Sequence, residues 1–436
     1  MEYTLDSLMK NDGFVCPDCG KQHFGGLNEC ITGKGAFEQF IPTLEKYGIT
    51  KPFVLCDRDT YSAAGEMGCA VLKDAKIPFT LHTVQRTHPA PDEKIVGEAV
   101  MYFDKSCDGI VVFGSGVLND TGKILANMTR LPYILIATAP SMDGFASATS
   151  SMERSGLKVS LPSKCPDCVI GDARILAKAP AHMTASGIGD MLAKYVSIVE
   201  WKIASLLIGE EYCETVAEIV RTALDECVKN GAAAVQGDEE AVTAVMNGLV
   251  ISGLAMNYAG ISRPASGMEH YISHIIDMRA LEFGRPGDLH GIQCGIAALV
   301  TVREYEKLKK LTPDREKALG SVSRFDFDAY AAYLRENLGH GAEAMIAGEK
   351  KEKKYDREKH AARLEKILGN WDKLTAIMNE LPDSAELEKF MREIGHPTTF
   401  AEIGITAEEE AMAFTMAKDI RDKYVLGRLL WDLGME

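Results

Sequence analysis

The sequence predicts an α/β N-terminal domain with a doubly wound, Rossmann-like parallel sheet, followed by an all-α helical-bundle domain. Three observations predict it. Between residues 51 and 178, short apolar runs alternate with amphipathic helical stretches. From about residue 181 onward β-rich runs become scarce, and apolar residues recur at three- and four-residue steps. Glycines, hydroxyls and carboxylates gather where the apolar runs end, and ligands bind at the carboxyl ends of parallel strands. The expected boundary lies at 178/179, giving domains over 1–178 and 179–436 with a binding site in the cleft between them.

At 436 residues the chain is long enough for two or three cores. Its apolar and charged fractions, 46% and 25%, are those of an ordinary globular protein. A net charge of -15 sets aside nucleic acid and anionic membranes as main partners, but leaves an anionic small molecule open. No apolar run reaches the roughly 18–20 residues of a membrane span. Asp6, Asp12 and Asp18 interrupt the first twenty residues, which do not read as a secretory signal. Eleven scattered cysteines then suggest free thiols, or a local metal knuckle, in a reducing cytoplasm.

Residues 1–35 form a Cys-containing segment apart from the alternating pattern. Cys16-Pro-Asp-Cys19-Gly followed by His23 has the spacing of half a zinc knuckle, with Cys30 as a fourth candidate. A second Cys-Pro-Asp-Cys, Cys165 to Cys168, would give a four-thiolate site or a redox pair if the two met. One such pair is a weak signal, and separate loop cysteines are the simpler reading. Strands are expected over 52–56, 79–84, 109–113, 133–137, 158–161 and 169–171, and helices over 60–72, 92–103 and 117–128. Asp57 ends the first strand, where a carboxylate suits a ribose hydroxyl. Gly114-Ser115-Gly116 sits where a strand turns into a helix, so the backbone can approach a pyrophosphate. A tight structural turn fits equally. Thr138-Ala139-Pro140-Ser141-Met142-Asp143-Gly144, with Ser147, reads as a binding loop, or as a Pro/Gly turn capped by Asp143.

In the second half, helices are expected over 191–207, 213–229, 241–258 and 292–308. Ser186-Gly187-Ile188-Gly189-Asp190 is expected to open the first, placing Asp190 in a first turn where the helix dipole suits a carboxylate. His270 and His274 are four apart, on one helix face, and His290 opens a later helix after a Gly-Arg-Pro-Gly-Asp break. Two helix-borne imidazoles and a carboxylate such as Asp190 would hold a catalytic metal with an open position. The same spacing also fits ordinary core or surface histidines.

These motifs together resemble the iron-containing alcohol dehydrogenase and dehydroquinate synthase-like superfamily, and within it the AraM-like sn-glycerol-1-phosphate dehydrogenases. The resemblance runs from about residue 51 to 405. It rests on Gly114-Ser115-Gly116 with Asn119-Asp120, on 138–144 with Ser147, on 187–194, and on Ser262-Arg263-Pro264-Ala265-Ser266-Gly267 leading into Glu269-His270 and Ser273-His274. Residues 397–404 look like the family's closing segment.

The resemblance implies a dinucleotide-binding first domain and a metal- and substrate-binding second one. It implies a divalent metal (zinc, nickel or iron) on Asp190, His270 and His290. NAD or NADP would lie on Gly114, Ser115, Gly116, Val117 and Leu118, with contacts from Asp57, Thr138, Ser141 and Ser147. Asp143, Asp190 and His274 would act at the substrate, a phosphorylated three-carbon ketone or alcohol, and Arg263 is the candidate for its phosphate. A homodimer or larger oligomer and a place in phospholipid metabolism are implied too. Gly-Ser-Gly-Val stands where many relatives have Gly-Gly-Gly-Ser, and Gly-Ile-Gln-Cys follows His290 in place of the usual continuation. The alternatives are a glycerol dehydrogenase, a dehydroquinate synthase-like lyase, and a non-catalytic nucleotide- or metal-binding protein.

Overall fold

The computed structural model describes residues 4–9, 13–87, 89–155, 157–284 and 287–435. Asp12, and Arg285 and Pro286 of the break before His290, lie outside them. Ten strands occur among the described residues: β1 (Phe14–Val15), β2 (Gln22–His23), β3 (Glu29–Gly33), β4 (Pro52–Asp57), β5 (Thr80–Val84), β6 (Gly109–Gly114), β7 (Tyr133–Ala137), β8 (Thr149–Arg154), β9 (Leu157–Pro162) and β10 (Cys168–Asp172). Six form one parallel sheet in the order β3-β10-β7-β6-β4-β5. The other four make two antiparallel hairpins, β1–β2 and β8–β9.

The sheet forms where the sequence is apolar on both faces. Every residue of β6, β7 and β10 is buried, as a sheet covered by helices on both sides requires. Each buried Val, Ile or Phe there contributes about 1.5–3 kcal/mol. β3 is absent from the expected strands because its sequence, Glu-Cys-Ile-Thr-Gly, has no apolar run; pairing with the fully buried β10 recruits it. β8 is likewise too polar to stand out, and is held by β9. From β4 the chain passes to β5 on one side and β6 on the other. The switch point therefore lies between the ends of β4 and β6, at Asp57 and Gly114.

The chain divides into two compact units, Met1–Met191 with Glu214–Ser262, and Leu192–Cys213 with Arg263–Glu436. This division differs from the change of secondary structure near residue 178, because helices Glu214–Val235 and Glu239–Ala259 group with the sheet. Glu239–Ala259 is long and apolar enough to cross a membrane, yet 72% of its most apolar window is buried, the place of a core helix. The second unit has no strand among its described residues. Its helices Met268–Glu282 and His290–Leu308 pack on each other, and the former also packs on Ala407–Ala417.

Helix Ala181–Ile208 begins ten residues before the expected start. Asp190 is therefore mid-helix, not in a first turn, and the dipole at the helix N-terminus does not account for it. The glycines that suggested a helix start cost about 1 kcal/mol each inside a helix. Gly187 offsets its cost by close packing: a Cβ there would stand 2.0 Å from the carbonyl oxygen of Pro140.

Candidate catalytic and metal-binding residues

In the first unit the expected residues collect around the carboxyl ends of β4, β6 and β7. Gly114 ends β6, and a Cβ on it would lie 2.6 Å from Cβ of Leu118, so the turn into helix Gly116–Thr129 requires glycine. The first N–H groups of a helix have no intrahelical acceptor. Ser115 makes no side-chain cap to them; its hydroxyl instead meets that of Ser141 at 2.8 Å. The result is a helix N-terminus of the kind that receives phosphate, bordered by Gly116, Val117 and Leu118. Asp57, at the switch point, uses Oδ1 to accept from the backbone and side chain of Thr60, a capping box.

The loop from Thr138 to Ser147 is a fixed structure. Thr138 N–H donates to Gly114 O at 3.1 Å, continuing the sheet. Ser186 Oγ donates to Ser141 O at 3.0 Å, and Ser252 Oγ donates to Asp143 Oδ2 at 2.9 Å. Asp143 N–H donates to Asp190 Oδ2 at 2.9 Å, with both residues buried. Lys123, fully buried, donates from Nζ to Gly144 O at 2.5 Å, Ser147 Oγ at 3.0 Å and Thr149 O at 3.1 Å. Lys123 drew no notice in the sequence; only its position three after Asp120, with which it pairs, hints at it. The Ser147 hydroxyl is thus engaged from within the fold. Asn119 and Asp120 are scaffold too. Asn119 Oδ1 accepts from Tyr133 Oη, and Asp120 accepts from Ser151 N–H while burial pushes its carboxyl up.

In the second unit the histidines are brought together. Ring centroids of His270 and His290 are 5.0 Å apart, those of His270 and His274 6.4 Å, and His274 stacks on His290 at 5.7 Å. Their hydrogen bonds assign the tautomers. Glu269 Oε1 accepts from His270 Nδ1 at 2.9 Å, which makes Nε2 the lone-pair nitrogen. Ser273 has one hydroxyl hydrogen and gives it to Gln293 Oε1 at 3.0 Å, so its contact with His290 Nδ1 at 3.2 Å makes that nitrogen a donor. Nε2 of His290 then carries the lone pair, 3.5 Å from Cys294 Sγ.

Ligand atoms of His270, His290 and Cys294 lie within 4.8 Å of one another. Burial raises the Cys294 thiol, but the His270 and His290 imidazoles outweigh it and hold the thiol below its ordinary value. Two imidazoles and a thiol suit zinc, and imidazoles also accept nickel or iron, so these residues fit a divalent metal. Cys294 was missed in the sequence, although its i+4 spacing from His290 was a signal. His274, Asp277 and His290 form a second close group that shares His290.

At the start of helix Met268–Glu282, Glu200 accepts from Met268 N–H at 2.8 Å and from Leu426 N–H at 2.8 Å. Burial, and then the charge of Glu269, push its carboxyl up to about 8. Lys194 Nζ donates to Ala265 O and Lys423 Nζ to Ser266 O, fixing the turn that precedes the helix. Burial pushes the Lys423 ammonium down to about 7. Arg263 corrects an expectation. It is fully buried; its Nε and Nη2 donate to Glu210 at 2.7 and 2.5 Å and Nη2 also to Tyr424 O at 3.2 Å, while Nη1 is buried without a hydrogen-bond partner. A fork already bonded to a carboxylate is a structural staple, not a phosphate clamp. The two Cys-Pro-Asp-Cys pairs also stay apart: Cys165 Sγ meets Ala146 O, Cys168 lies in the core of the sheet, and neither joins a ligand group with Cys16 and Cys19.

The chain is similar to known proteins over these parts. The iron-containing alcohol dehydrogenase family model matches residues 31–180. A Bacillus velezensis protein named glycerol-1-phosphate dehydrogenase [NAD(P)+] is 36% identical over 307 residues, 68% of this chain and 77% of its own length. One of the same name from Bacillus licheniformis is 28% identical over 437 residues, 99% of this chain and 95% of the relative. Sulfoacetaldehyde reductase from Bifidobacterium kashiwanohense, solved in complex with NAD+, shares the fold with a TM-score of 0.60 at 16% identity, over 95% of this chain and 97% of that one.

Proposed function

Because this chain belongs to the glycerol-1-phosphate dehydrogenase family, we propose that it interconverts dihydroxyacetone phosphate and sn-glycerol 1-phosphate with NAD(P) as hydride carrier. The observation that carries the reading is the pair of tautomers assigned to His270 and His290, each with an Nδ1 hydrogen already engaged and a lone pair left on Nε2, that of His290 lying beside Cys294. Together with a carboxylate from Asp190, as the family resemblance implies, His270 and His290 would hold a divalent metal. Bound there, the metal supplies Lewis-acid polarisation of a ketone oxygen. The nicotinamide supplies or takes up the hydride.

The residues of the chain do the rest. Gly114, Ser115, Gly116, Val117 and Leu118 receive the pyrophosphate at the helix N-terminus, and Asp57 meets the adenosine ribose across the switch point. Thr138, Ser141 and Ser147 line the cofactor, Ser147 chiefly by keeping its loop in place on Lys123. Asp143, held by Ser252, orients the substrate hydroxyls. His274, stacked on His290, holds the proton that the carbonyl oxygen takes up as it becomes a hydroxyl. With Arg263 committed to Glu210, the substrate phosphate is assigned no side chain. A homodimer or larger assembly accords with the resemblance.

The test is a nicotinamide absorbance assay on dihydroxyacetone phosphate and on dihydroxyacetone, each with NADH and NADPH. Turnover of the phosphate is expected to exceed that of the free ketone by orders of magnitude. Equal turnover of the two would make the chain a glycerol dehydrogenase, and a reaction with no net nicotinamide change would make it a lyase.

A further inference from the structure

The β1–β2 hairpin takes no part in the reaction above, yet its side chains are arranged as donors. Cys16 N–H donates to Lys21 O at 2.8 Å and Gly20 N–H to Cys16 O at 3.0 Å, with Gly20 at φ +69° closing the turn. Inside that turn Cys19 N–H points at Cys16 Sγ, 3.5 Å away. Cys19 Sγ lies 3.4 Å from His23 Nε2, and the ligand atoms of Cys16, Cys19 and His23 lie within 4.8 Å of one another. Tyr258 O, 2.7 Å from His23 Nδ1, can only accept, so Nδ1 carries the hydrogen and Nε2 turns its lone pair to the thiols. Cys16 and His23 are buried, at 1% and 3% exposure. Two strands of two residues are not stable on their own, so something other than the ladder holds them.

Glu214 N–H donates to Asp18 Oδ2 at 2.6 Å, within the Cys-Pro-Asp-Cys turn. Cys30, the fourth ligand expected from sequence, instead lies in β3 and is not part of the group.

We propose that Cys16, Cys19 and His23 bind one Zn(II) ion in a structural site, with one further ligand completing its shell. Two thiolates separated by two residues and one imidazole on the same short hairpin are the donor set of a structural zinc knuckle. Binding releases the thiol protons to solvent, and no electron is transferred. Through His23, whose Nδ1 donates to Tyr258 O, the ion holds the N-terminal segment on helix Glu239–Ala259, where Phe14 also packs edge-on against Tyr258 and Asn257 Nδ2 donates to Gly25 O. The same helix carries Ser252, the partner of Asp143. The zinc therefore stiffens the support of the loop from Thr138 to Ser147.

Zinc is measured in protein purified under reducing conditions, in a His270→Ala/His290→Ala/Cys294→Ser background that removes the other cluster. About one zinc per chain is expected to remain there, and to vanish on adding Cys16→Ser/Cys19→Ser. A zinc-free background protein, or zinc that survives the serine changes, overturns the proposal. The wild-type chain provides a check that needs no variant. Cys19 is partly exposed, so zinc should protect it from alkylation at least tenfold until a chelator is added. Equal alkylation with and without chelator, or a Cys16–Cys19 disulfide found by mass spectrometry, also overturns it.

Discussion

In the β1–β2 hairpin and in the helix pair Met268–Glu282 and His290–Leu308 alike, a buried imidazole is held through Nδ1 by an oxygen. Tyr258 O serves His23 at 2.7 Å, and Glu269 Oε1 serves His270 at 2.9 Å. The surroundings then diverge. Around His23 the other donors are thiols on a tight turn, with a backbone carbonyl as the orienting group. Around His270 they are a second imidazole, with its own Ser273–Gln293 relay, and Cys294, and a further histidine stacks alongside. A thiolate-rich shell satisfies its ion and stays shut. An imidazole-rich shell backed by a carboxylate leaves room for a reacting oxygen, and its orienting groups tune how basic the ligands are. Ligand spacing alone does not separate the two kinds of site; the partner of the other ring nitrogen helps to.

The largest expected effect breaks the comparison cleanly. His270→Ala should lower ketone reduction by about a thousandfold or more while leaving the Cys16–Cys19 zinc in place. Steady-state kinetics and metal analysis on one preparation check it, and full activity would remove His270 from the site. A smaller effect probes the orienting groups. Glu269→Gln keeps the shape but loses the charge behind His270, and should weaken metal affinity about 10–100-fold, read by chelator competition. Unchanged affinity would reduce Glu269 to packing.

The smallest effect is a pH dependence. Glu200 is held up to about 8 by burial and by Glu269, against an ordinary value of 4.5. As pH rises between those values the unfolded chain loses this proton while the folded chain keeps it, so the group's contribution to stability falls through that window. Glu200→Gln has no such proton, and its melting temperature relative to wild type should climb between pH 5 and 8. A flat difference would show that Glu200 is ionised in the fold.

Much of this was legible in the chain alone. Apolar runs marked β4, β6, β7 and β10, since a strand buried on both faces has no polar side to hide it, while the alternating pattern marked the half-exposed β5. The i, i+4 pair His270 and His274 and the Gly114-Ser115-Gly116 turn were visible because local periodicity decides which side chains share a face. What local pattern could not supply was pairing across distance. β3 became a strand because β10 offered it a partner, and the mid-helix glycine Gly187 found its reason in Pro140, forty-seven residues earlier. Arg263 looked like a phosphate ligand until Glu210 appeared opposite it. Cys294 gained meaning only beside His270. The order of residues determined which donors and acceptors exist and how neighbours along the chain present them. Which of them are already satisfied, and so which remain for chemistry, was decided by the fold, because a buried polar group must find its partner wherever packing brings one.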